Sequence, residues 1–187
     1  MLQKRSNPFE DYIQQGFAAI RAKTGAWLHW VNPAVRPIGL RGNMPVFAMV
    51  GSALYDIGGW TNENNAVHRA VGIELKASTK FKQNIPIIKP ESKGSGVQYH
   101  QLEALAALHR DGGIAGLVWN NGGVIGYASG EVLAAAFYDY ETSRVCEEMK
   151  RPITKGVRSL SWQKFATVEG TNHESWWLEG FHKPRGD

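Results

Sequence analysis

The chain has 187 residues and a net charge of +4, with 43% apolar and 20% charged residues. These values are typical of a globular protein, so we expect a single domain over residues 1–187 with a tryptophan-rich tail from about residue 169. The single cysteine, Cys146, excludes an internal disulfide framework and a cysteine-rich zinc site. No apolar stretch follows the amino end or approaches membrane-spanning length, so we predict a cytoplasmic protein without signal peptide or membrane span.

The first predicted element is a helix over residues 8–24. Asn7 is a good N-cap, Pro8 suits the first helical position, and Gly25 is a natural stop. Glu10 stands three residues after the cap, as in a capping box, so on these residues alone its role is to cap the helix.

A β-meander is predicted after this helix. A short aromatic strand spans residues 26–31, and a second strand spans residues 46–50. The connection between them, residues 32–45, is rich in Pro, Gly and Arg. Its Arg36 and Arg41 either contact phosphates or solvate a loop.

An acidic site is predicted where strand 54–59 meets strand 72–78. Strand alternation places Glu74 and Lys76 on one face, and the turn formers between the strands can bring Asp56 beside Glu74. Magnesium is often held by one or two carboxylates together with phosphate oxygens. Lys76 would then orient or deprotonate the attacking water, or neutralise charge on the phosphate. The alternative is a cross-strand salt bridge on a solvated face.

The Glu-x-Lys tripeptide is not specific by itself. It occurs three times, beginning at Glu74, Glu91 and Glu148, whereas composition alone predicts about one match. Only the first lies in an alternating strand-like segment that follows another acidic strand.

Four lysines follow the second acidic strand, and they are Lys80, Lys82, Lys89 and Lys93. They would place positive charge at the rim of the acidic site, which suits a phosphate-bearing partner. The pI near 9.2 is compatible with nucleic-acid binding. The alternative is a solvated lysine-rich loop.

A helix is predicted over residues 97–110, after a proline-interrupted segment, residues 84–90, that is unsuited to a central strand. Gln98 and Gln101 lie in its first turn on one side, from which they either point into the acidic site or cap the helix.

The remaining predicted elements are strands, a turn and a helix. They are a strand over 114–119, a hairpin turn over 120–123, a return strand over 124–127, a helix from Ser129 to about Thr142, and an apolar-polar segment over 157–168. Tryptophans in the last third, among them Trp162, are expected to pack or to contact a second subunit rather than to stack on bases.

Five segments together form one ordered pattern, and they are Leu54–Gly59, Ile73–Thr79, His100–Glu103, Gly112–Ile114 and Gly156–Leu160. In order and spacing this pattern resembles the RecU family of Holliday junction resolvases, within the PD-(D/E)XK nuclease superfamily. The resemblance covers about residues 8–168. The chain departs from the family in a longer interval between Asp56 and Glu74, and in Tyr55, which stands where the superfamily name has proline.

The resemblance implies an α/β, restriction-endonuclease-like core with a central mixed β-sheet flanked by helices. It further implies that Asp56 and Glu74, joined by Glu10, ligate Mg²⁺, with Mn²⁺ as an alternative ion. Lys76 would be the catalytic lysine, and Gln101 would match the motif glutamine beside the site.

The resemblance also implies a homodimeric endodeoxyribonuclease that resolves four-way DNA junctions by paired symmetric cuts, in the cytoplasm of a bacterium or of the host of a phage. Water would attack in line with the departing 3′-oxygen and leave a 5′-phosphate. Arg36, Arg41 and the lysines from Lys80 to Lys93 would contact the DNA backbone. Two alternatives stay open: another nuclease of the superfamily, of repair or restriction type, that acts on duplex, flap or branched DNA, and a non-catalytic junction-binding protein.

Overall fold

The computed structural model describes residues 8–31, 35–41, 44–49, 54–61, 69–89, 92, 94–151 and 158–167. Its helices are α1 (Pro8–Thr24), α2 (Tyr99–Arg110) and α3 (Gly130–Glu148). Its strands, in chain order, are β1 (Trp27–Trp30), β2 (Val35–Arg41), β3 (Met44–Met49), β4 (Ile57–Trp60), β5 (Ala70–Ser78), β6 (Asn84–Ile88), β7 (Val97–Gln98), β8 (Ile114–Asn121), β9 (Val124–Ser129), β10 (Ser159–Ser161) and β11 (Ala166–Thr167).

The described strands form one large sheet and two small ones. The large sheet contains six strands in the order β1-β4-β5-β8-β9-β11. Strands β5 and β8 run parallel, whereas the other neighbouring pairs run antiparallel, so this sheet is mixed. Strand β6 lies between β10 and β7 in a three-stranded sheet, and β2 pairs with β3 in a hairpin.

Helices cover both faces of the large sheet, because successive strand residues point to opposite faces. Val118 of β8 packs on one face in a buried cluster with Ile13 of α1. Its neighbour Leu117 packs on the other face in a cluster with Leu102 of α2 and Leu133 of α3. The chain is therefore an α/β protein with a mixed sheet flanked by helices, which confirms that part of the predicted fold class.

Several predicted elements are present with nearly the predicted bounds. Helix α1 matches the prediction, although its predicted cap, Asn7, lies outside the described residues. Strands β8 and β9 form the predicted hairpin, in which Asn121 pairs with Val124. Gly122 and Gly123 make the turn with φ of 64° and 96°, backbone angles that favour glycine in tight hairpins.

The predicted connection over residues 32–45 is wrong in part, because β2 and β3 form an antiparallel hairpin there. The strand register shifts between Pro37 and Gly39. An irregularity of this kind accommodates proline, which has no backbone N–H to donate to a partner strand. Pairing with β3 therefore outweighs the local turn signal of Pro37 and Gly39.

Other bounds differ because neighbouring elements intervene. Helix α2 begins two residues later than predicted, since Val97 and Gln98 pair with β6 as strand β7. Helix α3 continues to Glu148, past the predicted end near Thr142, and Arg144 forms ion pairs with Glu141 and Glu148 on its last turns. The segment over residues 84–90 supplies β6, which is the central strand of the small three-stranded sheet, so the prediction that this segment is unsuited to a central strand is wrong for that sheet.

Trp162 packs inside the described part of the chain. Its ring centroid lies 5.3 Å from that of Trp119 and 5.3 Å from that of Phe165. The expected packing role is therefore confirmed for this tryptophan, whereas the tail from about residue 169 lies outside the described residues. None of the helices in the described ranges is long and apolar enough to cross a membrane.

Candidate functional site

Asp56 lies directly before β4, and the pairing of β4 with β5 sets it beside Glu74. Ile57 pairs with Ile73 in this antiparallel register. The Asp56 amide donates to the Ile73 carbonyl at 3.0 Å, and its Oδ2 accepts from the Leu75 amide at 2.8 Å. Asp56 is thus held against the β5 backbone on the two sides of Glu74, by its amide at Ile73 and by its carboxylate at Leu75, which places it beside Glu74 as predicted.

Glu74 is the buried centre of the site, with only 1% of its side chain exposed. Its Oε1 accepts from Lys76 Nζ at 2.5 Å and from Gln101 Nε2 at 2.7 Å. Its Oε2 is buried and has no hydrogen-bond partner in the described part of the chain. One oxygen of this carboxylate is therefore engaged, and the other is a buried acceptor without a donor, which is costly inside a protein.

The environment of Glu74 favours its protonated form. Burial raises the pKa of Glu74 from its ordinary value of 4.5 to about 7; the nearby Lys76 ammonium opposes the rise, and the Asp56 carboxylate adds to it. A buried carboxyl with a strongly raised pKa beside specific charged partners is typical of functional sites.

Lys76 shares the face of β5 with Glu74, as strand alternation predicted. About 22% of its side chain is exposed, so it connects the buried carboxylate with the surface. Its Nζ donates to Gln101 Oε1 at 3.2 Å in addition to Glu74. A lysine ammonium has three N–H donors, so one remains for a ligand after these two contacts.

Gln101 both caps α2 and reaches the acidic site, so the two predicted alternatives hold together for this residue. Its Oε1 accepts from the Gln98 amide at 3.1 Å and from Lys76, while its Nε2 donates to Glu74. This orientation of the amide is consistent, because the Gln98 amide and the ammonium can only donate. The Gln98 side chain points elsewhere and donates to the Gly94 carbonyl at 3.2 Å.

The other predicted metal ligand, Glu10, lies in the first turn of α1. The adjacent Phe9 is buried in the cluster that covers the sheet face opposite Glu74. A role for Glu10 as a ligand stays a prediction.

The predicted DNA-binding residues are spread over several elements. Arg36 and Arg41 lie in β2, where the structure describes the backbone. Lys80 and Lys82 are exposed in the loop after β5, and Lys89 is exposed after β6. Lys82 lines a cavity together with Lys76. Lys93 lies outside the described residues.

The oxygen ligands at this site suit a magnesium ion that keeps part of its water shell. Within the described ranges, no group of three or more His, Cys, Asp or Glu residues is arranged to hold a metal. The site offers the two carboxylates of Asp56 and Glu74, and Mg²⁺ commonly takes only one or two carboxylates and fills its shell with waters and phosphate oxygens. Glu74 Oε2, which has no hydrogen-bond partner among the described residues, is an acceptor that a cation could satisfy.

A buried polar network that was not predicted from the sequence lies beside the site. Trp119 Nε1 donates to Ser78 Oγ at 3.1 Å, and Ser78 Oγ donates to Asn121 Oδ1 at 3.1 Å. Asn121 is fully buried, although we assigned the segment around it to a turn. Alternation along β8 contains the missing signal, because Ala115, Leu117, Trp119 and Asn121 share one buried face.

Two comparisons with known proteins leave the family open. No protein-family model and no curated protein matches the sequence.

Proposed function

We propose that the chain is a divalent-metal-dependent DNA endonuclease of the PD-(D/E)XK type, and that its substrate is the four-way DNA junction. The observation that carries the proposal is the convergence of Asp56, Glu74, Lys76 and Gln101 in one hydrogen-bonded cluster. These residues are four of the five that the RecU resemblance assigns to the site. A mixed sheet with helices on both faces agrees with such a core.

Asp56 and Glu74 would hold the metal, Mg²⁺ or Mn²⁺. When bound, such an ion supplies positive charge beside the scissile phosphate and makes a nearby water more acidic. The backbone contacts of Asp56 orient its carboxylate before any ligand arrives. Glu74 brings a carboxylate oxygen that has no described hydrogen-bond partner to lose.

Lys76 would act on the phosphate and on the attacking water. Its contacts with Glu74 and Gln101 fix the position of Nζ, and its remaining N–H can donate to a phosphate oxygen. This donor stabilises the negative charge that develops as the water oxygen bonds to phosphorus and the bond to the 3′-oxygen breaks. The attacking water releases a proton to solvent and the departing 3′-oxygen takes up a proton, so the products are a 5′-phosphate and a 3′-hydroxyl.

Gln101 would be a positioning residue in this reaction. It contacts Glu74 and Lys76 at once, and the Gln98 amide holds its Oε1 from the helix side. Because α2 begins at the site, a rigid helix end rather than a flexible loop orients the catalytic pair.

A homodimer would explain junction resolution, because paired cuts in opposed strands need two sites related by a two-fold axis. Junction selectivity would come from shape and phosphate placement rather than from base edges. The lysines of the loop after β5 supply positive charge next to the cluster.

The test is cleavage of a synthetic four-way junction and of a linear duplex with the same sequence, in magnesium and in chelator. Wild type is compared with Asp56→Asn, which keeps an oxygen to accept from the Leu75 amide. Asp111→Asn is the matched control, because Asp111 is 70% exposed at the end of α2. We expect paired symmetric cuts by wild type and the control, only in the junction and only with metal, whereas Asp56→Asn folds and binds without cutting.

Each other result changes the proposal. Cutting by Asp56→Asn at the wild-type rate would refute the site. Equal cutting of the linear duplex would favour a repair or restriction nuclease of the same superfamily. If wild type and both variants bind the junction but none of them cuts it, the non-catalytic junction-binding alternative is favoured.

A further inference from the structure

A cavity of about 180 Å³ opens beside the acidic cluster. Lys76 lines it on one side, so the cavity adjoins the cluster directly, and Lys82 and Trp119 also line it. This space is several times larger than a single water molecule needs, and it accommodates a phosphate group with its ester oxygens.

The described lining of this cavity favours an anion. It contains two lysines and neither Asp nor Glu. Lys76 is paired with Glu74, whereas no described carboxylate lies within ion-pair distance of Lys82. The N-cap of α2, Gln98, also lines the cavity, and the first turn of this 12-residue helix has no acidic residue. The positive end of the helix dipole therefore adds to the lysine charge.

A buried amide fixes the backbone that carries Lys82. Asn121 Oδ1 accepts from the Lys82 amide at 2.7 Å, and Asn121 Nδ2 donates to the Lys82 carbonyl at 2.8 Å. Ser78 and Trp119 complete the chain of hydrogen bonds behind Asn121. An exposed loop residue is thus anchored at two backbone atoms by a side chain that is 0% exposed.

A second wall is the backbone of residues 94–96, which lies tightly on β6. A Cβ atom on Gly96 would stand 2.3 Å from the Pro86 carbonyl oxygen, so only glycine permits this close approach. The Gln98 side chain ties the same segment to α2 through the Gly94 carbonyl. Both walls of the cavity are therefore held by contacts within the protein.

We propose that this cavity is a subsite for a backbone phosphate of the nucleic-acid strand, next to the phosphate at the acidic cluster. Lys82 binds that phosphate together with the N-terminal end of α2, and Asn121 is the positioning residue for Lys82. The claim that the strand is DNA and is cut rests on the proposed function. The claim that the cavity binds a phosphate rests on the residues that line it.

The first test measures binding to a labelled four-way junction in chelator, as a function of salt, for Lys82→Gln and Lys80→Gln. Both variants lose one charge from the same exposed loop, but Lys80 does not line the cavity. We expect Lys82→Gln to bind several-fold more weakly, with a salt slope reduced by about 0.9, and Lys80→Gln to change both quantities less. Equal effects of the two substitutions, or no effect of Lys82→Gln, would refute the subsite.

A second test uses a 5′-phosphorylated thymidine dinucleotide and does not depend on cleavage. The Trp119 indole N–H faces the Ser78 hydroxyl, so its NMR resonance, identified by its loss in Trp119→Phe, reports on the cavity. We expect the dinucleotide to shift this resonance in wild type and not in Lys82→Gln. If the wild-type resonance does not shift but the protein cuts junctions, the subsite is refuted and the proposed nuclease function stands. If the resonance shifts but the protein cuts no DNA, the nuclease function is refuted and the subsite stands.

The positioning role of Asn121 is tested by a double-mutant cycle with Asn121→Ala and Lys82→Gln. If Asn121 acts through Lys82, the double variant binds the junction as weakly as Lys82→Gln and no more weakly. Additive losses of affinity in folded proteins would instead indicate a general structural role and overturn this assignment.

Discussion

The Glu74→Gln variant isolates the contribution of one buried carboxyl to stability. Without metal, the pKa of Glu74 is raised from 4.5 to about 7 in the folded protein, chiefly by burial. The folded state therefore holds the proton more tightly than the unfolded state does. The stabilisation is complete below pH 4.5 and is lost as the pH rises through about 7. At about 1.4 kcal/mol per pKa unit, the full effect is roughly 3 kcal/mol.

The assay is urea unfolding in chelator at several pH values between about 5 and about 8. We expect the free energy of unfolding of wild type, minus that of Glu74→Gln, to fall by roughly 2–3 kcal/mol across this range, because glutamine does not titrate. Titrating groups that do not interact with Glu74 are common to both proteins and cancel in the difference. Glu103→Gln, at an exposed position of α2, is the control for the loss of a carboxylate elsewhere on the chain. A difference for Glu74→Gln that does not change with pH would refute the reasoning.

The same variant tests the metal. A cation held by Asp56 and Glu74 competes with the proton, so added Mg²⁺ should stabilise wild type near pH 8 more than near pH 5, in proportion to its occupancy. Glu74→Gln should lose most of this stabilisation. Identical unfolding curves for wild type with and without Mg²⁺ at about pH 8 would count against a metal site.

Two further substitutions separate positioning from packing. Gln101→Leu removes the donor to Glu74 and the acceptor for Lys76. We therefore expect the rate of junction cleavage to fall about 10- to 100-fold while binding in chelator is unchanged. An unchanged cleavage rate would contradict the positioning role. Trp162→Ala removes the edge-to-face contact with Trp119. We therefore expect the free energy of unfolding to fall by about 3 kcal/mol, while the folded protein keeps its affinity for junctions. A loss of affinity without a loss of stability would indicate base stacking.

Local patterns were sufficient to predict the acidic half of the site. Alternation put Glu74 and Lys76 on one face, and two strands separated by turn formers put Asp56 next to them. Helical periodicity put Gln101 in the first turn of a helix, although it left open whether that side chain caps the helix or reaches the site. The structure shows that it does both, because the helix begins at the site.

Alternation along β8 indicates the buried face of Asn121, but the partners of Asn121 in the polar network were not predictable, because they depend on how distant segments align. Ser78 lies beside Asn121 only in the parallel register of β5 and β8, and no local signal specifies that register. Asn121 also belongs to a run of Asn and Gly whose turn preference conceals its buried position. Likewise, the local preferences of Pro37 and Gly39 concealed strand β2, which depends on its pairing with β3.

The parallel pairing of β5 with β8 obliges the chain to leave the large sheet and return to it. The returning segment contains β6, β7 and α2, so it supplies Gln101 and one wall of the cavity. Asp56, Glu74 and Lys76 instead belong to the paired strands or adjoin them. The fold thus divides the site into a part held by the sheet and a part supplied by the returning segment, whose helix α2 packs in the buried core through Leu102 and Leu105.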